Sequence, residues 1–433
     1  MVPSVQFGNL RELERYALDA VRHALCIENP TSSNEVQTMP PESPLSKRIK
    51  RHVTGRQRTY FAATSPGFEA LCHQELSALE LSIEDASIVD GGVEFSGRLL
   101  DCYQANLHLR TASRILLRID KLTASSFRQL ENKVAKIPWE LYLPPKGLPH
   151  IHVTTKHCRL YHTDAVGQRF LAGIRKHLPD NNYSTEEIDL PLSDTTLFVR
   201  GLDDQFTISV DSSGNHLHKR GLKRHHGKAP LRETMAAAAL LLAGYSGKEP
   251  LIDPMCGTGT FSLEAALMAK NIPPGWFREF AFRHWPSFSH KRWDYLKRQC
   301  ETLFKDPREP MIFASDQDPS VCSQLKNCIQ QNHLSEIITV ARKNFFDFLP
   351  GELTDQTGLV VINPPYGIRL GSFEKSEKLF GAIVDKLNRT YKGWKVVLVA
   401  PNKKFIKKMP FKLDALPFVH GGLKPALMFG KIS

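Results

Sequence analysis

Pro250-Leu251-Ile252-Asp253-Pro254-Met255-Cys256-Gly257-Thr258-Gly259-Thr260 passes from the end of a short apolar strand, through a glycine loop, into a helix expected to run to Lys270. The Gly-x-Gly spacing of Gly257 and Gly259 lets the backbone turn sharply and approach a ligand at a helix start. A dinucleotide fingerprint would place a third glycine where Ser262 stands, and a phosphate-binding loop would need a lysine that this stretch lacks. Nicotinamide and ATP sites are thereby disfavoured. An aspartate before the loop suits a ligand with an amino-acid end, because the Asp253 carboxylate can hold an ammonium directly or through water. Cys256 reads as a small residue packed under the loop rather than as a nucleophile.

Outward from this loop, strands and helices alternate regularly from residue 230 onward. Helices are expected at 231–243, 259–270, 319–332 and 374–387, and strands at 250–253, 311–315, 337–341, 358–362 and 394–399, with a closing pair at 411–416 and 424–430. Short uninterrupted apolar strands between helices imply a parallel sheet covered on both faces. Such a sheet binds ligands beyond the carboxyl ends of its strands. Asp316 ends the second strand, where the ribose hydroxyls of a bound nucleoside arrive, and Asp318 before Pro319 reads as a helix N-cap. After the third strand, Asp347 is placed to accept from an adenine amino group while Phe345 or Phe346 packs beside the ring.

The fourth strand ends in Asn363-Pro364-Pro365-Tyr366-Gly367, the sharpest signal in the chain. Two prolines fix the backbone, so the Asn363 side chain and the Pro364 carbonyl can converge on one point. Both offer acceptors, as an amino group awaiting alkylation requires: they orient its lone pair and take up charge as the nitrogen becomes cationic. Tyr366 supplies a flat face for a base rotated out of its helix. A structural Pro-Pro turn is the bland alternative. The Gly-x-Gly loop upstream and the acids at the intervening strand ends weigh against it.

The 433 residues allow two or three domains, with 41% hydrophobic and 24% charged content ordinary for a globular protein. No apolar run approaches a membrane span, and no signal peptide is evident, so the cytoplasm is the expected compartment. The formal net charge of +12 favours a polyanionic partner. Eight cysteines without a Cys-x-x-Cys read as reduced thiols, and no metal site is expected. Residues 1–58 read as a short helix (10–25), a Pro/Ser-rich linker (29–44) and a basic arm (47–58) that either touches RNA or is a solvated tether. Residues 59–214 read as an α+β module that binds rather than catalyses. The connector 215–229 contains five Lys or Arg and four His residues between Asn215 and Lys228 with no acid, which suits a grip on a phosphate backbone.

DPMCGTGT, ASDQDP, NFFDF and NPPYG resemble the successive motifs of class I methyltransferases of amino groups, in non-permuted order. His218-Lys219-Arg220-Gly221 followed by Ala229-Pro230-Leu231-Arg232-Glu233-Thr234 resembles the entry into the catalytic domain of THUMP-containing RNA methyltransferases. Tyr60-Phe61-Ala62-Ala63-Thr64-Ser65-Pro66-Gly67-Phe68-Glu69 is similar to the opening of their ferredoxin-like domain. The likeness covers roughly residues 59–431 and is nearest to bacterial large-subunit rRNA guanine-N2 methyltransferases, in a short form with one catalytic domain. It implies a ferredoxin-like plus THUMP RNA-binding module at 59–214 and a Rossmann-like methyltransferase domain at 230–433. S-adenosylmethionine would lie among Asp253, Met255, Cys256, Gly257, Thr258, Gly259, Asp316, Asp347 and Asn363. Asn363, Pro364, Pro365 and Tyr366 would hold a guanine of RNA. A tRNA guanine-N2 or adenine-N6 enzyme is the nearest alternative, and a non-catalytic RNA-binding assembly factor is the alternative of another class.

Overall fold

The computed structural model describes residues 43–79, 83, 85–145, 147–178, 192–223, 231–307, 309, 311–365, 373–401, 403–418 and 425–433. The helix expected at 10–25, nearly all of the linker at 29–44, the connector residues 224–229 and Tyr366 lie outside the described residues.

Residues 47–58 are not the solvated arm that their charge suggests. Pro44–Ile49 (α1) continues into a π-helical turn, Lys50–Thr54. Ile49 and Val53, four residues apart and so on one helical face, are buried in the first core. Arg48 pairs with Glu140 at 2.6 Å. Two apolar contacts override the polar composition.

Arg58–Ala63 (β1), Glu69–Ala78 (α2), Ala86–Val89 (β2), Gly92–Gly97 (β3), Leu99–His108 (α3), Arg114–Thr123 (β4), Phe127–Val134 (α4), Leu148–Lys156 (β5), Thr163–His177 (α5), Leu192–Leu202 (β6) and Gln205–Asp211 (β7) follow. The seven strands form one sheet ordered β2-β3-β1-β4-β7-β6-β5, antiparallel except where β5 runs beside β6. Period-2 alternation sets its buried face: Tyr60, Leu117 and Val210 stand in one register and Ala62 opposite Ile115, while Ile208, also buried, lies past a bulge between Arg118 and Asp120. β2 and β6 go beyond the sequence expectation.

The second half comprises Glu233–Leu242 (α6), Leu251–Asp253 (β8), Thr260–Ala269 (α7), His290–Glu301 (α8), Ile312–Asp316 (β9), Pro319–Gln331 (α9), Ile338–Arg342 (β10), Leu359–Ile362 (β11), Phe373–Thr390 (α10), Lys395–Ala400 (β12), Leu413–Pro417 (β13) and Ala426–Lys431 (β14). Its sheet is ordered β10-β9-β8-β11-β12-β14-β13. The first five strands are parallel, and β14 runs antiparallel to both β12 and β13. Strand order reverses between β8 and β11, so the crevice for a ligand opens beyond their carboxyl ends.

The two halves share core material. Phe280 and Phe282 of the insert after α7, with Trp293, Leu296 and Cys300 of α8, belong to the core of the first sheet. Phe282 stacks on Tyr103 of α3 at 4.3 Å between ring centroids, and Trp293 meets the edge of Tyr103 at 6.1 Å. Between them, Glu264 of α7 and Arg220 of the connector form an ion pair at 2.9 Å, with side chains 1% and 2% exposed. Arg220 also donates to the carbonyls of Leu217 (2.9 Å) and Arg110 (2.7 Å). Glu264→Ala would leave that guanidinium buried without its counter-charge, at an expected loss of about 3–5 kcal/mol of stability. Urea unfolding followed by tryptophan fluorescence should show a lower midpoint, and an unchanged one would show that the pair carries no weight.

Candidate functional site

A cavity of about 340 Å³ lies at the strand-order reversal. It is lined from β8 by Asp253, Met255, Cys256, Gly257 and Thr258, from β9 by Asp316, and from β11 by Asn363 and Pro365. Three adjacent strands of the sheet, β9, β8 and β11, thus deliver most of the residues that the sequence singled out to one crevice.

The loop after β8 has the geometry its glycines promised. Gly257 has a φ of +51°, and the space where a Cβ would stand is open. Gly259 has a φ of +74°, but its side faces α9, where a Cβ would come 2.4 Å from Leu325 Cδ1. Gly259 therefore shapes the loop, its α-carbon packed against α9. Cys256 lines it and is 8% exposed. Burial pushes its thiol well above the ordinary value, in keeping with a packing residue.

The acids divide into three situations. Asp253 is buried, and its Oδ2 accepts from Ser262 Oγ at 2.7 Å while Oδ1 has no partner. Burial, opposed by the Ser262 hydrogen bond, pushes its pKa up to about 7. Asp316 accepts from the Gly257 amide at 3.0 Å through Oδ2 and from the Asp318 amide at 3.0 Å through Oδ1, so it pins the loop while it lines the cavity. Asp347 is exposed in an adjoining groove with Gln317, Arg342, Lys343 and Asn344, and Gln317 and Asn344 also line the main cavity. Residues Phe345–Asp347 form a 3-10 turn capped by Asn344. Phe345 is buried in the core and Phe346 is 37% exposed, and both line the cavity.

At β11, the Asn363 Oδ1 atom is buried with no hydrogen-bond partner. Pro365 lines the cavity, while Pro364 is buried and is not among the lining residues. Asn344, Gln317, Val321, Leu231 and Leu379 also line it without having been foreseen. Asn344 had a readable signal, since an Asn before a turn caps it, and its Oδ1 accepts from the Phe346 amide at 3.1 Å. Asp318 is the N-cap expected, accepting from the Ser320 amide at 2.8 Å.

Residues 220–421 match the family model described as RMKL-like, methyltransferase domain, and residues 59–116 match the RlmL ferredoxin-like domain. A Synechocystis sp. protein named "Putative RNA methyltransferase slr0064" is 32% identical over 86% of this chain and 96% of its own length. This chain belongs to the RMKL-like family of S-adenosylmethionine-dependent RNA methyltransferases. The Ribosomal RNA large subunit methyltransferase K/L of Psychromonas ingrahamii is 31% identical over 87% of this chain, which spans only 50% of that protein. The crystal structure of SMU.472 complexed with SAH superposes with a TM-score of 0.76 at 26% identity, covering 87% of this chain and 99% of that one. The cofactor of this class I fold is S-adenosylmethionine, and the open side of Gly257 and the unpartnered Asp253 Oδ1 suit it.

A carboxyl whose pKa rises from 3.8 to about 7 on folding holds its proton more tightly in the folded chain. Folding is then penalised increasingly as pH rises from about 4 to about 7, and fully above that window. Asp253→Asn should flatten this decline and raise the melting temperature of the ligand-free protein at about pH 8. A variant whose melting temperature falls with pH as steeply as the wild type's would place the titration elsewhere.

Proposed function

We propose that this enzyme methylates the 2-amino group of a guanine in large-subunit ribosomal RNA, with Asn363-Pro364-Pro365-Tyr366 as its catalytic loop. The observation that carries the reading is Asn363 Oδ1, a buried acceptor without a partner on the same cavity as Asp253 and Asp316. An exocyclic amino group supplies the donor it lacks. Accepting one N–H directs the nitrogen lone pair across the cavity and stabilises positive charge as that nitrogen is alkylated. The Pro364 carbonyl would take the second N–H, and Tyr366 would stack on the base.

Bound S-adenosylmethionine supplies the methyl group. Asp253 Oδ1 would hold its ammonium, Asp316 its ribose hydroxyls and Phe346 its adenine ring. Residues 59–214, read as a ferredoxin-like plus THUMP module, would seat the RNA together with the basic connector. Guanine and ribosomal RNA rest on the sequence likeness and on the names of the K/L relatives.

Mass spectrometry of nucleosides from rRNA and tRNA of wild-type and deletion strains tests the substrate. Loss of N2-methylguanosine from rRNA is expected. An intact rRNA profile with a missing tRNA nucleoside, or loss of N6-methyladenosine, would overturn the assignment. Asn363→Ala should lower methyl transfer by about a hundredfold or more, the scale of one lost charge-stabilising group. RNA binding should be retained, and full activity would refute the mechanism.

A further inference from the structure

The connector's last described residue, Lys223, stands behind the cofactor loop. Its side chain is 6% exposed, and Nζ donates to Thr260 Oγ1 at 2.7 Å, with Thr258 Oγ1 at 3.5 Å. Glu233 at the start of α6 is the counter-ion, 3.6 Å away. Thr258 and Thr260 line the main cavity, whereas Lys223 does not. Its backbone approach is anchored: the Leu222 carbonyl accepts from Asn332 Nδ2 at 3.2 Å, and Leu222 lies in the second core. A buried ammonium is costly unless paired, so a cation kept here is held for its contacts.

We propose that Lys223 is a positioning residue for the methyl donor, fixing the threonines of the Gly-x-Gly loop and balancing the carboxylates around it. The proposal rests on this cavity being the donor's site. Among the described residues, the charged and titratable groups about the lysine and the loop are Asp253, Asp316, Glu233, Cys256 and Cys328. Three of these are carboxyl groups, and Lys223 is the cation of the set. Lys223 lowers the Asp253 pKa against the stronger upward push of burial. Its influence on Asp253 is smaller than those of burial, Ser262 and Asp316, and its loss moves Asp253 further toward the protonated form.

Calorimetric titration of the full-length protein with S-adenosylhomocysteine across pH tests this. Lys223→Met should weaken binding by about tenfold near neutral pH, the scale of a lost hydrogen bond to a charged group. It should also move the pH of half-maximal affinity upward, and Lys223→Arg should restore much of both. Affinity and pH profile equal to wild type in Lys223→Met would overturn the proposal. So would an affinity loss that Lys223→Arg leaves uncorrected and that has no pH dependence, which is the mark of a structural role only. Should Lys223→Met fail to fold, Lys223→Gln keeps a donor for Thr260 and drops the charge. It should still shift the pH profile upward, and an unshifted profile would overturn the proposal. Asp316→Ala tests the underlying reading separately. Normal binding of S-adenosylhomocysteine by that variant would show that the donor sits elsewhere, whatever Lys223 does.

Discussion

The buried pair of Arg220 and Glu264 is the constraint on which the two halves of this molecule converge. Glu264 lies on α7, the helix that leaves the Gly-x-Gly loop, so the pair acts on the element that positions the cofactor site. Arg220 uses its remaining donors on carbonyls of the first half and of the connector itself. A lone guanidinium there would cost several kcal/mol, whereas a paired one fixes the direction in which the connector leaves the first sheet. Three residues later that direction brings Lys223 behind the loop.

The aromatic insert reinforces the same geometry by another means. Arg278 donates to the carbonyls of Ser213, Asn215, His216 and Lys219, so an insert of the catalytic half organises the start of the connector. The stacked Phe280 and Phe282 fill the core of the first sheet. The first half and the methyltransferase half are therefore not free bodies on a tether. Their shared core couples the orientation of the first sheet to the cavity mouth.

What the sequence disclosed follows the range of each signal. β8, β9, β10, β11 and β12 were legible because an apolar run, a turn residue and a helix cap are local features. Asp253, Gly257, Asp316 and Asn363 fell into one cavity because they end consecutive strands of a parallel sheet. β2 was not legible, since Ile88 is 53% exposed on an edge strand with no buried face to mark it. α8 was missed because HKRWDYLKRQCE is mostly charged, and only Trp293, Leu296 and Cys300 mark its buried side. At Asp347 strand logic reaches only as far as the strand end: the 3-10 turn that follows presents Phe346 to the cavity and leaves Asp347 exposed in the adjoining groove. Lys223 was read with its connector as part of a grip on a phosphate backbone, because composition cannot reveal which cation has a carboxylate and two hydroxyls waiting.

The two unpartnered acceptors on the cavity bear on one another. Asp253 Oδ1 and Asn363 Oδ1 are both buried without hydrogen-bond partners, at the ends of neighbouring strands β8 and β11. Each lacks a donor that packing does not supply, and an unmet buried acceptor costs about 1–3 kcal/mol. A chain under selection for stability alone would replace both with apolar residues, as the strand interiors around them already are. Both stand where strand order reverses, and neither finds its donor among the described residues. On the proposed function, an amino-acid ammonium at one end of the crevice and an exocyclic amine at the other would meet both needs at once. The stability given up at these two atoms would then be restored by bound donor and base.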